Sequence, residues 1–197
     1  MVYHARFTRC YTHGAFTNRL SRVVYDAPGT DGLNTKGYYG GVFDGRYIYF
    51  SPVHNGALRH GIVLRYDTYG GLTNATSWQV YDASNTDGLS CRGYRGGVYD
   101  GRYIYYVPHY DGTNIHANVL RYDTRGVFTN SANWQACDVG NTGGLTCKGY
   151  VGVAFDGRFL YFSPRRSAFA TYHGHILRFD SRWPHRIPSE ISGGSCY

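Results

Sequence analysis

The sequence predicts an all-β protein, and two features of its composition support that class. Glycine and tyrosine are unusually frequent, with 27 and 21 residues, whereas methionine occurs once among 197 residues. Aromatic residues favour strands and glycines favour tight turns. Hydrophobic residues make up 42% of the chain and charged residues 17%, which excludes a highly charged disordered chain. The chain is therefore expected to form one domain of short strands joined by turns.

An internal repeat organises nearly the whole chain. Three segments of 17 residues begin at Lys36, Arg92 and Lys148, and the first two are identical at 12 positions. The first segment reads Lys36-Gly-Tyr-Tyr-Gly-Gly-Val-Phe-Asp-Gly-Arg-Tyr-Ile-Tyr-Phe-Ser-Pro52, and both spacings are 56 residues. A fixed period of this length is the signature of a repeat architecture. The single domain 1–197 divides into a half repeat 1–15, repeats 16–71, 72–127 and 128–184, and a tail 185–197.

Each repeat predicts four short strands, which we name A to D. In the first copy strand A covers 40–43, and the pair Asp44-Gly45 fits a two-residue type I′ turn. Strand B follows up to residue 50, before Pro52. Both faces of strand B are apolar or aromatic, so both must be covered. Strand C is expected at 62–66 and strand D at 78–81.

A four-stranded unit that is covered on both faces and repeated in tandem is typical of a β-propeller blade. The sequence thus predicts a propeller-like array of about 3.5 blades of 56 residues each. A β-trefoil, which also contains three four-stranded repeats, is the alternative, although the extra strand pair at the N-terminus argues against it. Because fewer than four blades do not readily close a ring, we expect two chains to associate as a homodimer. The alternative is a monomer that forms a four-bladed ring with one incomplete blade.

The repeat resembles kelch-type blades in four features: a Gly-Gly pair beside strand A, an aromatic strand B, a Tyr-Asp that closes strand C, and a Trp in strand D. It is more similar to tandem bacterial repeats that carry Phe-Asp-Gly-Arg-Tyr-Ile-Tyr-Phe-Ser-Pro, as at 43–52, followed by the text His60-Gly-Ile-Val-Leu-Arg-Tyr-Asp-Thr68. The resemblance covers about residues 16–184. It implies the propeller fold, and because the family has no established activity it implies no reaction.

Three histidines recur at one repeat position. His60, His116 and His173 each precede the leucine of strand C by four residues. A symmetric ring of imidazoles suits a metal ion, an anion or a sugar hydroxyl. The alternative is a structural hydrogen bond that every blade needs for packing.

The loops between strands B and C differ strongly among the copies, and they contain His54, Tyr110 and Arg166. Variable polar and aromatic loops on a fixed scaffold are where binding sites usually lie. We therefore expect a non-catalytic ligand-recognition module for a carbohydrate or a protein. Its candidate binding residues are these three together with His60, His116 and His173.

Catalysis has little support in the sequence. No nucleophile elbow, phosphate-binding loop or dinucleotide fingerprint occurs, so we expect no catalytic residue, metal site or cofactor. A hydrolase that acts on glycans is one alternative, since such enzymes use two carboxylates. Asp111 and Glu190 are the only acids without a repeat counterpart. A structural or assembly protein is the other alternative.

The net charge of +7 arises from loops and termini, because the acids and bases shared by the repeats balance. Basic loops attract acidic polymers, but no run of five Lys or Arg occurs, so a basic surface without nucleic-acid binding is expected. The unbalanced bases are Arg9, Arg19, Arg22, Arg59, Arg95, Arg125, Arg165, Arg166, Arg182 and Arg186.

The five cysteines form no metal-binding or redox motif, and Cys91 and Cys147 occupy the position of Thr35 in the first copy. A residue that alternates with threonine is expected to be small and buried, and a zinc site or a disulfide framework is the alternative. Neither a signal peptide nor an apolar segment of membrane length is visible, so we expect no membrane association and a cytoplasmic location with reduced thiols.

Overall fold

The computed structural model describes residues 3–11, 13 and 17–182. These residues form β-strands and short 3-10 helices and contain no α-helix, so the all-β class is confirmed. Among them, no helix has the length and apolar character needed to cross a membrane. The strands are β1 Arg6–Cys10, β2 Arg22–Asp26, β3 Tyr38–Phe43, β4 Tyr47–Pro52, β5 Ile62–Asp67, β6 Trp78–Asp82, β7 Tyr94–Tyr99, β8 Tyr103–Pro108, β9 Asn118–Asp123, β10 Trp134–Asp138, β11 Asn141–Thr142, β12 Leu145–Thr146, β13 Tyr150–Phe155, β14 Phe159–Pro164, β15 Arg166–Ala168, β16 Thr171–Tyr172 and β17 Leu177–Asp180.

Three antiparallel sheets follow the repeat. The first sheet has the order β3-β4-β5-β6, the second β7-β8-β9-β10 and the third β13-β14-β17. The pair β1-β2 precedes them, and the hairpins β11-β12 and β15-β16 occur within the third copy. In both complete sheets the strands follow the predicted order A to D. Phe16, the tail 185–197 and Glu190 lie outside the described residues.

The turn between strands A and B differs from its predicted type. Gly45 has a φ of 105°, whereas Asp44 is not among the residues with positive φ, so the turn is not type I′. Instead, one carboxylate oxygen of Asp44 accepts hydrogen bonds from the backbone N–H groups of Arg46 and Tyr47, at 2.8 and 2.6 Å. The aspartate therefore acts as a side-chain cap, and glycine alone supplies the unusual backbone conformation.

Hydrophobic cores fill the spaces between consecutive sheets. Tyr49 of β4 is fully buried and packs against Tyr122 of the second sheet and against Phe128 of the loop between β9 and β10, with ring centroids 5.7 and 6.0 Å apart. Tyr105 of β8 packs in the same way against Phe179 of the third sheet, at 5.8 Å. Strand B of the second sheet is buried along its whole length. In the first and second sheets the expected cover on both faces of strand B is thus provided by neighbouring sheets.

Strand A carries a bulge near its beginning. In the second sheet Tyr94 pairs with Pro108 and Gly97 with Tyr106, so two residues of β7 oppose one residue of β8. The inserted residues are Arg95 and Gly96, and Gly96 has a φ of 86°. A bulge bends its strand and turns a side chain away from the regular alternation. It therefore determines where Arg95 is presented.

An aspartate in the loop after one strand D binds strand D of the next sheet. Asp87 accepts a hydrogen bond from the backbone N–H of Ala136 at 2.8 Å, and Asp31 accepts one from Val80 at 3.2 Å. Both aspartates have left-handed backbones, with φ values of 51 and 50°. We call this contact the aspartate latch. It satisfies an amide of a strand at the edge of its sheet and joins neighbouring sheets.

Replacing Asp87 tests the latch. Asp87→Asn keeps an acceptor oxygen, whereas Asp87→Gly removes it and still tolerates the left-handed backbone. We expect the free energy of unfolding of D87G to be about 1 kcal/mol below that of D87N in urea titrations. Gly143→Asn exchanges the same two residue types at the equivalent position of the third repeat. The change that it causes in the free energy of unfolding measures the backbone contribution, which is subtracted from the difference between D87G and D87N. Equal stability of D87G and D87N after this subtraction would show that the latch contributes nothing.

Candidate functional site

The antiparallel pairing places the loops of each sheet at two ends. The B–C and D–A loops lie at one end, which we call the upper end, and the A–B and C–D loops lie at the lower end. All six candidate binding residues are at or beside the upper end. They do not form one cluster.

The three repeated histidines are held at both ring nitrogens. Their Nδ1 atoms accept hydrogen bonds from backbone N–H groups two residues further on, at 3.3, 3.2 and 3.2 Å. With Nδ1 as acceptor, Nε2 carries the proton and donates to a backbone carbonyl. The Nε2 distances are 3.0, 2.8 and 2.7 Å, to the carbonyl oxygens of Lys36, Arg92 and Lys148. Each imidazole thus connects the start of strand C to the segment before strand A.

This geometry favours the structural interpretation of His60, His116 and His173. No ring nitrogen of the three is left for a ligand, and in the described part of the chain no three His, Cys, Asp or Glu side chains converge as metal ligands. Burial lowers the pKa of His60 to about 4, against smaller opposing effects of its backbone hydrogen bonds, and burial also lowers the pKa of His116. A neutral imidazole suits a permanent structural hydrogen bond.

Two of the three B–C loop candidates share a neighbour. Tyr110 contacts Phe169 edge to face, with centroids 5.2 Å apart, and the guanidinium of Arg166 lies 5.1 Å from the same ring. His54 instead contacts Tyr3, at 4.8 Å. The loops of the second and third repeats therefore form one surface, and Arg59 of the first-repeat loop joins it with its guanidinium 5.3 Å from the ring of Tyr110.

Four arginines from three repeats lie at this surface. Arg95, presented by the bulge of β7, is the one on which the charges of the other three act. Burial lowers the pKa of Arg95, and the charges of Arg165, Arg59 and Arg166 lower it further. Its guanidinium lies 5.6 Å from the ring of Tyr39. We call Arg59, Arg95, Arg165 and Arg166 the basic cluster.

His109 is buried next to the basic cluster. Its side chain is 1% exposed, and neither ring nitrogen has a hydrogen-bond partner. Burial, followed by the charges of Arg95, Arg166 and Arg165, lowers its pKa to about 3. The backbone of Tyr150 opposes this shift slightly without reaching hydrogen-bonding geometry. Buried polar side chains are nearly always paired, so this unpaired imidazole singles out the location.

The sequence contained a signal for this cluster. Each of its residues differs from its repeat counterparts: Arg95 stands where the other copies have Tyr39 and Val151, and His109 where they have Val53 and Arg165. Residues shared by every copy serve packing that every copy needs. Polar residues that depart from the repeat and meet in space are better candidates for function.

Asp111 has a local role in its loop. Its carboxylate accepts hydrogen bonds from the backbone N–H groups of Thr113 and Asn114, at 2.8 and 2.7 Å. Burial raises its pKa, but hydrogen bonds including these two outweigh burial, and the pKa is lowered overall. A general acid needs the opposite shift. The second acid of the hydrolase alternative, Glu190, lies outside the described residues.

The burial of Cys91 and Cys147 agrees with the prediction, but the redox state of one cysteine does not. Cys91 and Cys147 are fully buried, as is Thr35 at the equivalent position. Cys10, Cys91 and Cys137 are free, and burial raises the pKa of Cys91 to about 11. Cys147 is disulfide-bonded, so the expectation of reduced thiols is wrong for that residue. The cytoplasmic location stays a prediction.

A groove of about 400 Å³ lies between strands D of the first and second sheets. It is lined by Tyr81 and Trp134, whose rings stack at 4.6 Å, and by polar residues that include Asp87. Because Asp87 is engaged in the aspartate latch, the groove belongs to the contact between sheets.

No protein-family model matches the chain, and no curated protein is significantly similar to it.

The structural role of His60 predicts a pH dependence of stability. The unfolded state binds a proton near the ordinary pKa of 6.5, whereas the folded state binds it only near 4. Stability is therefore lost as the pH falls through this window. In His60→Gln, which retains an N–H donor, the loss between about pH 7 and about pH 4 should be smaller by roughly 3 kcal/mol. Urea unfolding at both pH values measures it, and identical losses in both proteins would contradict the burial argument.

Proposed function

We propose that the chain is a non-catalytic ligand-recognition module on a propeller-like array of kelch-type blades, and that it binds its ligand at the upper end. The observation that carries this proposal is the convergence there of polar and aromatic side chains that depart from the repeat. A fixed scaffold that carries variable loops is typical of binding proteins.

The arrangement of the sheets supports the scaffold. Each complete sheet is a four-stranded antiparallel meander, and its two faces pack on the neighbouring sheets through aromatic cores. Strand A of the second sheet lies beside strand A of the first and of the third. Separate meanders with adjacent inner strands suit propeller blades better than the interwoven repeats of a trefoil.

The charges that all repeats share support a structural lower end. Arg46 pairs with Asp67 at 2.7 Å, and Arg102 and Arg158 pair with the equivalent aspartates at 2.7 and 2.9 Å. Each pair joins the A–B turn to the end of strand C. Because these charges neutralise each other in every copy, the functional charge of the molecule is concentrated in residues outside the repeat pattern.

The upper end offers aromatic faces beside cationic groups. Tyr39 and Phe169 are 51% and 59% exposed, and arginine side chains lie next to both rings. Exposed rings stack on sugar rings and on protein side chains alike, and arginine adds hydrogen-bond donors. The ligand class is therefore a carbohydrate or a protein. The hydrolase alternative receives no support from Asp111, which is engaged in its own loop.

Binding arrays test the proposal directly. The wild-type protein, screened on glycan and protein arrays, should retain at least one ligand. Tyr110→Ala should weaken that binding by roughly tenfold, since an aromatic side chain of the proposed binding surface is lost. The control is Tyr69→Ala at the lower end, where Tyr69 is 79% exposed, and it should bind normally. Blank arrays at high protein concentration, or equal losses in both variants, would refute the proposal.

Self-association as a homodimer stays a prediction. Tyr161, the counterpart of the fully buried Tyr49 and Tyr105, is only partly buried on the third sheet. Cover for this face by a second chain would bury it. Light scattering should give about 44 kDa, twice the 22.2 kDa of the chain. A mass near 22.2 kDa at micromolar concentration would exclude the dimer.

A further inference from the structure

The basic cluster brings positive charges together, and no carboxylate is among the main charge effects on Arg95 or His109. The largest charge effects on Arg95 come from Arg165, Tyr39, Arg59 and Arg166, and for His109 they come from arginines alone. Asp111, which follows His109 in the same loop, is held by two backbone N–H groups of that loop. Like charges in proximity repel, and burial strengthens the repulsion. The arrangement is thus suited to a negative group that the protein itself does not supply.

The cluster also leaves hydrogen-bonding groups unused. The Nε atoms of Arg95 and Arg166 are buried and have no hydrogen-bond partner. Both ring nitrogens of His109 also lack a hydrogen-bond partner, and this residue is only 1% exposed. A neutral imidazole has one N–H donor and one acceptor. These groups belong to three segments, namely the bulge of β7 and the B–C loops of the second and third repeats.

We propose that Arg59, Arg95, Arg165 and Arg166, together with His109, form a binding site for a tetrahedral oxyanion, a sulfate or phosphate group. The planar guanidinium fork matches two oxygens of such a group, and the negative charge of the oxyanion compensates the repulsion within the cluster. The inference deepens the proposed function, because it names the chemical group on the ligand that the upper end recognises.

The repeat itself supplies conservative test variants. Arg95→Tyr and His109→Val introduce the residues that occupy the same backbone positions in the first repeat, Tyr39 and Val53. The same backbone already accommodates these side chains, so the variants are expected to fold. Arg125→Gln, an exposed arginine in a lower-end loop, removes the same charge as Arg95→Tyr and is the control.

The experiment measures sulfate and phosphate binding by isothermal calorimetry, with chloride at matched ionic strength as reference. The wild-type protein and R125Q should bind both oxyanions at one site. R95Y should bind about tenfold more weakly, as expected for the loss of one charged hydrogen-bonding partner. H109V should also weaken binding and leaves the cluster charge unchanged. Unequal responses to sulfate and phosphate identify which group is the better ligand.

The melting temperature provides a second test. A merely structural role of Arg95 would not reverse the sign of the difference between R95Y and the wild type when oxyanion is added. Without oxyanion R95Y should melt at a higher temperature than the wild type, because repulsion is relieved. In sulfate the wild type should gain more than R95Y, beyond the general stabilisation that sulfate gives to any protein. Equal gains in both proteins, or no heat of binding, would overturn the inference. If oxyanions fail to bind while array ligands still require Tyr110, this inference alone is wrong, whereas oxyanion binding with blank arrays refutes the proposed function alone.

Discussion

The structure depends on the burial of aromatic strands between neighbouring sheets. Strand B carries large apolar side chains on both faces, so a single sheet would expose rings such as Tyr49 to water. A buried aromatic side chain contributes on the order of 2 kcal/mol by leaving water. Each sheet therefore becomes stable only through its neighbours, and the stability of the array is a sum of contacts between adjacent repeats.

This dependence explains why the shared polar residues act as connections. The imidazole of His60 joins strand C to the segment before strand A within one sheet, and Asp87 joins strand D of one sheet to strand D of the next. The pair of Arg46 and Asp67 fixes the lower end. Each of these contacts recurs wherever the repeat supplies the same residues. They orient the sheets whose aromatic faces provide most of the stabilisation.

The sequence was sufficient for the strands but not for all of their local geometry. The alternation and the turn residues predicted strands A to D within a few residues, because both faces of strand B have to be buried. The predicted type of the turn at Asp44 was wrong. The Asp-Gly pair allows a type I′ turn, but the side chain of Asp44 caps the turn instead. The bulge at Arg95 could not be predicted, because it depends on the register of β7 against β8, in which Arg95 and Gly96 together oppose one residue.

The site was predictable only in part, for a related reason. Repeat identity drew attention to His60 and its equivalents, yet identity across copies indicates what every sheet requires, and the structure uses these rings as connections. Arg95 and Arg166 were visible as unbalanced charges, but they are 71 residues apart in sequence and only the packing of the sheets brings them together.

A buried imidazole without partners beside a group of like charges lowers the stability of a fold. The scaffold tolerates this cost because the aromatic contacts between sheets are made on other residues. In a repeat protein the same backbone position occurs several times. A residue that destabilises the fold in one copy can therefore be compared with a residue that does not in another copy. Tyr39 and Val53 show that the positions of Arg95 and His109 do not require charge or polarity for folding. The departure of these residues from the repeat therefore supports the proposal that they bind a ligand.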